Sequence, residues 1–257
     1  MRNQISSLSR ALTLLDVFGA GDGELTLTEL ADRAGMPKST AHRLVTDLVR
    51  WRALERTPSG LRLGMRLFEL GHLVPSPRKL RDVALPHLED LYVTTRNTVN
   101  LAVRDGLDVV YVEKFVAPTA PVPHTRTGGR LPMHCTALGK AILAFSPASL
   151  LEEVVAAGLR RMTPKTIQDP AVLRAELVTI RSHRVAYDVE ESRIGLHCVG
   201  APLFGRRGEV VAAVSVTGLQ SRSTARHFAP AVLTASLALS RQLGWSGGAQ
   251  PDRWANR

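Results

Sequence analysis

The chain has 257 residues, 44% of them hydrophobic and 22% charged, which is enough apolar side chain for one large core or two modest ones and excludes global disorder. Its formal charge of +10 suits a polyanionic partner, yet the excess is spread out: residues 1–75 carry ten Lys/Arg against eight Asp/Glu, net +2, and the rest carry 23 against 15, net +8. No run of 18 apolar residues is present to span a bilayer and two cysteines are too few for a disulfide framework, so a cytoplasmic protein with no membrane partner is expected.

In chain order, Ile5, Leu8, Ala11, Leu12, Leu15 and Phe18 form the stripe of a first helix, ended by Gly19, Gly21 and Gly23. Thr26 and Glu29 have the capping-box spacing, so a second helix starts there and stops at Gly35. A Gly-Met turn leads to Pro37 and a third helix whose dry stripe is Ala41, Leu44, Val45, Leu48 and Val49. Two short helices joined by a glycine turn make a helix-turn-helix. ALERT (53–57), the turn Pro58-Ser59-Gly60 and LRLG (61–64) read as a hairpin, which completes a winged helix.

Residues 65–74 read as a helix, and Pro75 and Pro77 then interrupt the pattern. A further helical stripe, Leu80, Val83, Ala84, Leu88 and Leu91, is expected to kink or restart at Pro86. Residues 99–115 form two apolar runs around Asp105-Gly106, a hairpin signal. Leu131 to Cys135 alternate as a strand that feeds a helix over 137–145. Helices over 147–157, 170–183 and 224–243 and strands near 185–190, 196–204 and 209–217 complete an α/β sensor-like domain. No Gly-rich fingerprint or P-loop is present, so no cofactor is expected.

Six segments, SRALTLLDVF, LTELADRAGMPKSTAHRLVTDL, LRLGMRLFELG, LPMHCTALGKAILA, DVEESRIGLHCVGAP and VVAAVSVTG, together resemble the IclR family of bacterial transcriptional regulators from about Leu8 to Leu243. The resemblance implies an α+β protein: a winged helix-turn-helix DNA-binding domain over 1–74, a linker helix over 75–86 and a GAF- or profilin-like α/β effector-binding domain over 87–245, while the tail over 246–257 lacks periodicity and is expected to be mobile. The resemblance also implies a homodimer or dimer of dimers on palindromic double-stranded DNA, acting as a repressor under a small organic effector. Arg96 and His183-Arg184 stand where the family tends to place Gly.

The third helix carries Lys38, Ser39, Thr40, His42 and Arg43 on its polar face. In a recognition helix such side chains face the major groove, where the Arg43 fork matches guanine O6 and N7 and Lys38 suits phosphate. Arg56, Ser59 and Arg62 flank the hairpin tip and are candidates for the flanking backbone or minor groove. The bland alternative is a solvated polar face.

For the effector, a strand running into a helix start leaves the amides of Ala137, Leu138 and Gly139 as a carboxylate seat, with Thr136 beside them or serving only as an N-cap. Leu131, Met133 and Leu196 would supply apolar lining. By residue match to the family, Asp188, Leu196, Cys198, Ser215 and Thr217 line the pocket; Ser215 and Thr217, two apart on a strand, share a face. Asp188 has the alternative role of capping backbone amides, and Cys198 of core filler. The expected ligand is a small carboxylic acid that offers Asp188 a hydroxyl. Two rival readings use the same residues: a metal site from His134-Cys135 and His197-Cys198, or a hydrolytic arrangement of Cys198, His134 and Asp188.

Overall fold

A computed structural model describes residues 6–19, 21–118, 125–219 and 221–247. Ile5 and the part of the tail from 248 onward therefore lie outside the described residues. The chain divides into two compact units, Met1–Arg78 and Lys79–Arg257.

In the first unit, α1 (Ser7–Asp16), α2 (Leu27–Arg33) and α3 (Lys38–Arg50) precede the hairpin β1 (Leu54–Arg56) and β2 (Leu61–Leu63) and the short α4 (Met65–Gly71). The capping box forms as the spacing demands: the Thr26 hydroxyl accepts from the Glu29 amide at 3.2 Å, and the Glu29 carboxylate accepts from the Thr26 amide at 2.8 Å. Gly35 supplies the positive φ of +61° between α2 and α3, and Pro37 is the residue before the first helical one. Leu14, Leu30, Ala41, Leu44, Val45, Leu54 and Leu61 close a core of their own.

The next helix, α5 (Pro75–Thr95), crosses the division at Arg78, and from Lys79 onward it belongs to the second unit. Contrary to the expectation of an interrupted linker, neither Pro77 nor Pro86 ends this helix. Pro75 and Pro77 occupy its first turn, where the missing N–H would have no intrahelical partner, and Pro86 is carried by the apolar stripe Leu80, Ala84, Leu88 and Leu91 packed on the sheet.

A six-stranded antiparallel sheet follows, in the order β5-β4-β3-β8-β7-β6, built from β3 (Thr98–Asp105), β4 (Asp108–Phe115), β5 (Arg130–Pro132), β6 (Ala186–Val189), β7 (His197–Phe204) and β8 (Val210–Leu219). The β3–β4 turn is centred on Gly106-Leu107, one residue beyond the expected pair, because Asp105 and Asp108 still pair across it. α9 (Arg222–Gln242) and α5 cover one face through Val99, Leu101, Val199, Ala201, Val214 and Val216. α6 (Ala137–Ala144), α7 (Ala148–Ala156) and α8 (Pro170–His183) pack on the other. Period-2 alternation sends the intervening residues, Thr98, Asn100, Cys198, Ser215 and Thr217, to that second face.

The strand expected over Leu131–Cys135 stops at Pro132, and Met133–Cys135 is a 3-10 turn. Proline cannot donate to a ladder, and the turn swings the chain directly into α6. Two glycines permit this close packing. A Cβ on Gly139 would stand 2.3 Å from the Met133 carbonyl oxygen, and one on Gly200 would stand 3.2 Å from the backbone of Ala137. The start of α6 is thereby pressed onto β7.

Candidate functional site

α3 buries Ala41, Leu44 and Val45 and exposes Lys38, Ser39, His42 and Arg43, with Thr40 half-buried. The side chains of Lys38, His42 and Arg43 have no ion pair or hydrogen bond among the described residues, so their donors are available to an outside partner. The wing differs. The Arg62 guanidinium donates to Glu55 Oε2 from Nε at 3.0 Å and from Nη2 at 2.9 Å, and the Ser59 hydroxyl donates to the Glu24 carboxylate. Arg56 is exposed and is the one of the three with no partner among the described residues. The hairpin tip is stapled to its own unit, and a DNA contact by Ser59 or Arg62 has to compete with an acid already in place.

The second unit holds a cavity of about 280 Å³ over the α6 face of the sheet. Its floor follows from strand register. Lys114, Asn100 and Ser215 stand opposite one another on β4, β3 and β8, and Thr98, Thr217, Cys198 and Asp188 form the next row on β3, β8, β7 and β6. Asn100 Nδ2 donates to Ser215 Oγ at 3.2 Å and Thr217 Oγ1 at 3.0 Å, while its Oδ1 has no partner. Polar side chains in mid-sheet are out of place in a core, and the register gathers them under one opening.

The wall is the segment 190–196. Asp188 Oδ1 accepts from the amides of Glu191 at 2.8 Å and Ser192 at 3.3 Å, and Oδ2 accepts from the Ser192 hydroxyl at 2.5 Å. Thr163 and Thr166 hydroxyls donate to the carbonyls of Glu190 at 2.6 Å and Glu191 at 2.7 Å. Lys140, fully buried on α6, donates to Glu191 Oε1 at 2.6 Å. Burial pushes the carboxyls of Asp188 and Glu191 above the usual carboxylate range. Ile194 remains 68% exposed at the rim.

Of the eleven residues expected to line an effector pocket, the cavity gathers eight: Thr136, Ala137, Leu138, Asp188, Leu196, Cys198, Ser215 and Thr217. Leu131, Met133 and Gly139 do not line it. Leu131, on β5, and Met133, in the 3-10 turn, both belong to the core beneath α6. The Gly139 amide is not a free anion donor: it donates to Thr136 Oγ1 at 3.0 Å, so Thr136 is the N-cap of α6 as well as a wall residue. Thr98, Asn100, Tyr111 and Lys114 line the cavity without having been expected to. The signal was present in Thr98-Val-Asn100, polar positions alternating within an apolar strand.

The histidine, cysteine and aspartate of the hydrolytic reading are all buried. The His134 ring is buried and donates from Nε2 to the Arg160 carbonyl at 3.0 Å, burial lowers its pKa, and it does not line the cavity. Burial raises the Cys198 thiol well above its ordinary value and the Cys135 thiol to about 12, which favours the thiol over the thiolate at both. Among the described residues no three His, Cys, Asp or Glu side chains gather as a metal site.

A winged helix with an open recognition face, joined to an α/β unit that encloses a small polar cavity, is the architecture of a ligand-responsive transcriptional regulator. Residues 7–58 match the IclR helix-turn-helix domain, and residues 72–244 match the C-terminal domain of the bacterial transcriptional regulator IclR. The chain is 34% identical over 247 residues to the HTH-type transcriptional regulator XynR of Escherichia coli, covering 94% of this chain and 98% of that one. It is 34% identical to the transcriptional repressor IclR of the same organism, over 86% of this chain and 82% of that one. Among solved structures, an IclR homologue from Microbacterium hydrocarbonoxydans complexed with 4-hydroxybenzoate superposes with a TM-score of 0.84 at 30% identity, covering 93% of this chain and 99% of that one. The chain belongs to the IclR family of bacterial transcriptional regulators, and its helix-turn-helix is a DNA-binding module.

Proposed function

We propose that the protein is a repressor whose hold on a palindromic operator is modulated by a small carboxylic acid bound in the cavity of the second unit. Residues 1–74 take the DNA, 75–86 link, and 87–245 sense the ligand. Lys38, Ser39, Thr40, His42, Arg43 and Arg56 are the DNA-facing set. Thr136, Ala137, Leu138, Asp188, Leu196, Cys198, Ser215 and Thr217 are the effector-facing set. One winged helix makes few base contacts, so a homodimer or dimer of dimers presents two copies to two half-sites.

The observation that carries this reading is the cavity itself: a row of hydroxyl, amide and ammonium side chains brought together in mid-sheet has no structural use as a core. That a solved relative holds 4-hydroxybenzoate supports an acid of compact size. The test replaces Ser215 and Thr217 together by Ala. Operator binding of the ligand-free protein should be unchanged in a gel-shift or anisotropy assay, while release of DNA by an acid that acts on the natural chain should be lost. A double variant that still releases DNA at the same acid concentration would remove the cavity from the mechanism.

A further inference from the structure

Three charged residues line the cavity: Lys114 and Asp188 at opposite ends of its floor, and Arg193, which already has a partner within the protein, on the 190–196 wall. Lys114 stands on β4 and Asp188 on β6, with β3, β8 and β7 between them, so four strand spacings of roughly 4.8 Å each part their backbones along the curved sheet. Lys114 Nζ donates to the Thr125 carbonyl at 2.8 Å and to Thr125 Oγ1 at 3.3 Å, both neutral acceptors on the cavity wall. No carboxylate of the described residues pairs with it. An ammonium carries three protons, and burial already presses this one toward the neutral form, so Lys114 is a cation that lacks its counter-ion.

The other side has the opposite deficit. Asp188 accepts three hydrogen bonds from the 190–196 segment and a long one from the Cys198 thiol at 4.0 Å, the weak donor that a ligand hydroxyl would replace. Asn100 Oδ1, in the middle of the floor, has no donor among the described residues. An acid lying with its carboxylate against Asp188 would meet a like charge in a low-dielectric cavity, and a cationic ligand would meet Lys114. The helix start offers a weaker seat than its sequence suggested, because Thr136 already takes the Gly139 amide.

We infer that the cavity takes a hydroxylated carboxylic acid in one orientation, its carboxylate paired with Lys114 and its hydroxyl donating toward Asp188. Lys114 is then the residue that selects acids over their neutral analogues. This rests on the cavity being the effector site proposed above.

The test is calorimetry on the full chain with three matched sets of probes: 4-hydroxybenzoate, benzoate and 4-hydroxybenzamide; 3-hydroxybutyrate, butyrate and 3-hydroxybutyramide; lactate, propionate and lactamide. In the set that fits the cavity, the hydroxy acid should bind at least about tenfold more tightly than either analogue. Lys114→Met should bring the acid down to the affinity of its amide, and Lys114→Arg should keep the preference; binding of the amide by both variants reports an intact cavity. Equal binding of acid and amide by the natural chain, a preference for the acid that survives Lys114→Met, or no binding by any of the three hydroxy acids would overturn the inference. Operator release read on the same samples separates the two readings. An acid that binds through Lys114 without releasing DNA overturns the regulatory role and leaves the selectivity standing, whereas release by an amide or amine alone does the reverse.

Discussion

Lys140 is a charged side chain with no solvent exposure, held by Glu191 at 2.6 Å and Glu176 at 3.3 Å. It joins α6 to the wall of the cavity, and Glu191 Oε2 has no partner even with the lysine present. Removing the cation leaves a buried carboxylate uncompensated, which in such pairs costs about 3–5 kcal/mol. Lys140→Met should therefore destabilise the second unit by that order in urea unfolding, and Lys140→Met with Glu191→Met should recover most of the loss; a double variant as unstable as the single would mean that packing and not charge holds the segment. Arg43, by contrast, is exposed and unpaired, so its loss should leave stability alone. Arg43→Ala should weaken operator binding by about 1–3 kcal/mol and relax base preference at one position, while Lys38→Ala weakens all sequences alike and flattens the salt dependence. Titrating both variants against the operator and a scrambled duplex at two salt concentrations checks this. Arg43 was legible from local sequence because its place on the exposed face of α3 follows from helix periodicity alone. Lys140 was not, because Glu191 is 51 residues away and only the fold joins them.

Helix ends show where local chemistry is obeyed and where it is overridden. The capping box of α2 and the N-caps Ser6, Thr136 and Asp169 follow from residue type and spacing alone. Arg96 and Arg184 do not: each takes a left-handed conformation, φ +53° and +56°, at a position where the resemblance to the family suggests Gly. Arg184 has a use for its side chain, since the guanidinium lies 5.3 Å from the Trp245 ring. Arg96 has no ion pair among the described residues, and its amide donates to the Tyr92 carbonyl at 2.7 Å to close α5. A left-handed non-glycine residue costs roughly 1–2 kcal/mol and glycine gives back roughly 0.5–1 kcal/mol in unfolded-chain entropy. Arg96→Gly should thus stabilise the second unit by up to about 1 kcal/mol, seen as a higher melting temperature, and a lower one would mean that Arg96 makes a contact worth more than its strain. The 3-10 turn at Met133–Cys135 is the converse case: alternation alone read as a strand, and the approach of Gly139 to Met133 and of α6 to β7 decided otherwise.

At the scale of the whole molecule, the two units differ in acid chemistry: the shifted carboxyls of the first are all lowered, whereas raised and lowered groups offset one another in the second. In the first, Asp22, Glu24, Glu29 and Glu55 are held below the usual carboxylate range by the Arg33 guanidinium, the Ser59 hydroxyl, the Thr26 amide and the Met65 amide respectively. Carboxyls lowered by folding contribute stability that is present above about pH 4 and is lost as the pH falls through their folded values. In the second, Asp188 and Glu191 are raised by burial, so the folded unit takes up protons before the unfolded chain does and gains stability as the pH falls toward about 4. Glu190, lowered by Lys165, and His134, lowered by burial, oppose this, since at each the unfolded chain takes up the proton first as the pH falls. On acidification the first unit should therefore open before the second. Hydrogen exchange followed by mass spectrometry between pH 6 and about 3 reads the order directly, and earlier exchange in residues 79–247 would contradict it.

The sequence by itself determined the periodic and local features: three helices, the capping box that starts the second, the glycine turn between α2 and α3, the wing, the alternation that sends Ser215 and Thr217 to one face, and the ordered segments that resemble one family. These depend on neighbours within a few positions. Only the tertiary structure decided which polar residues meet. Strand register sets Lys114 beside Asn100 and Asn100 beside Ser215, partners 14 and 115 residues apart in the chain, and the packing of α6 takes Leu131, Met133 and the Gly139 amide out of the cavity. Registers between distant strands and the distance of a helix from a sheet are settled by the whole core at once, and no local pattern encodes them.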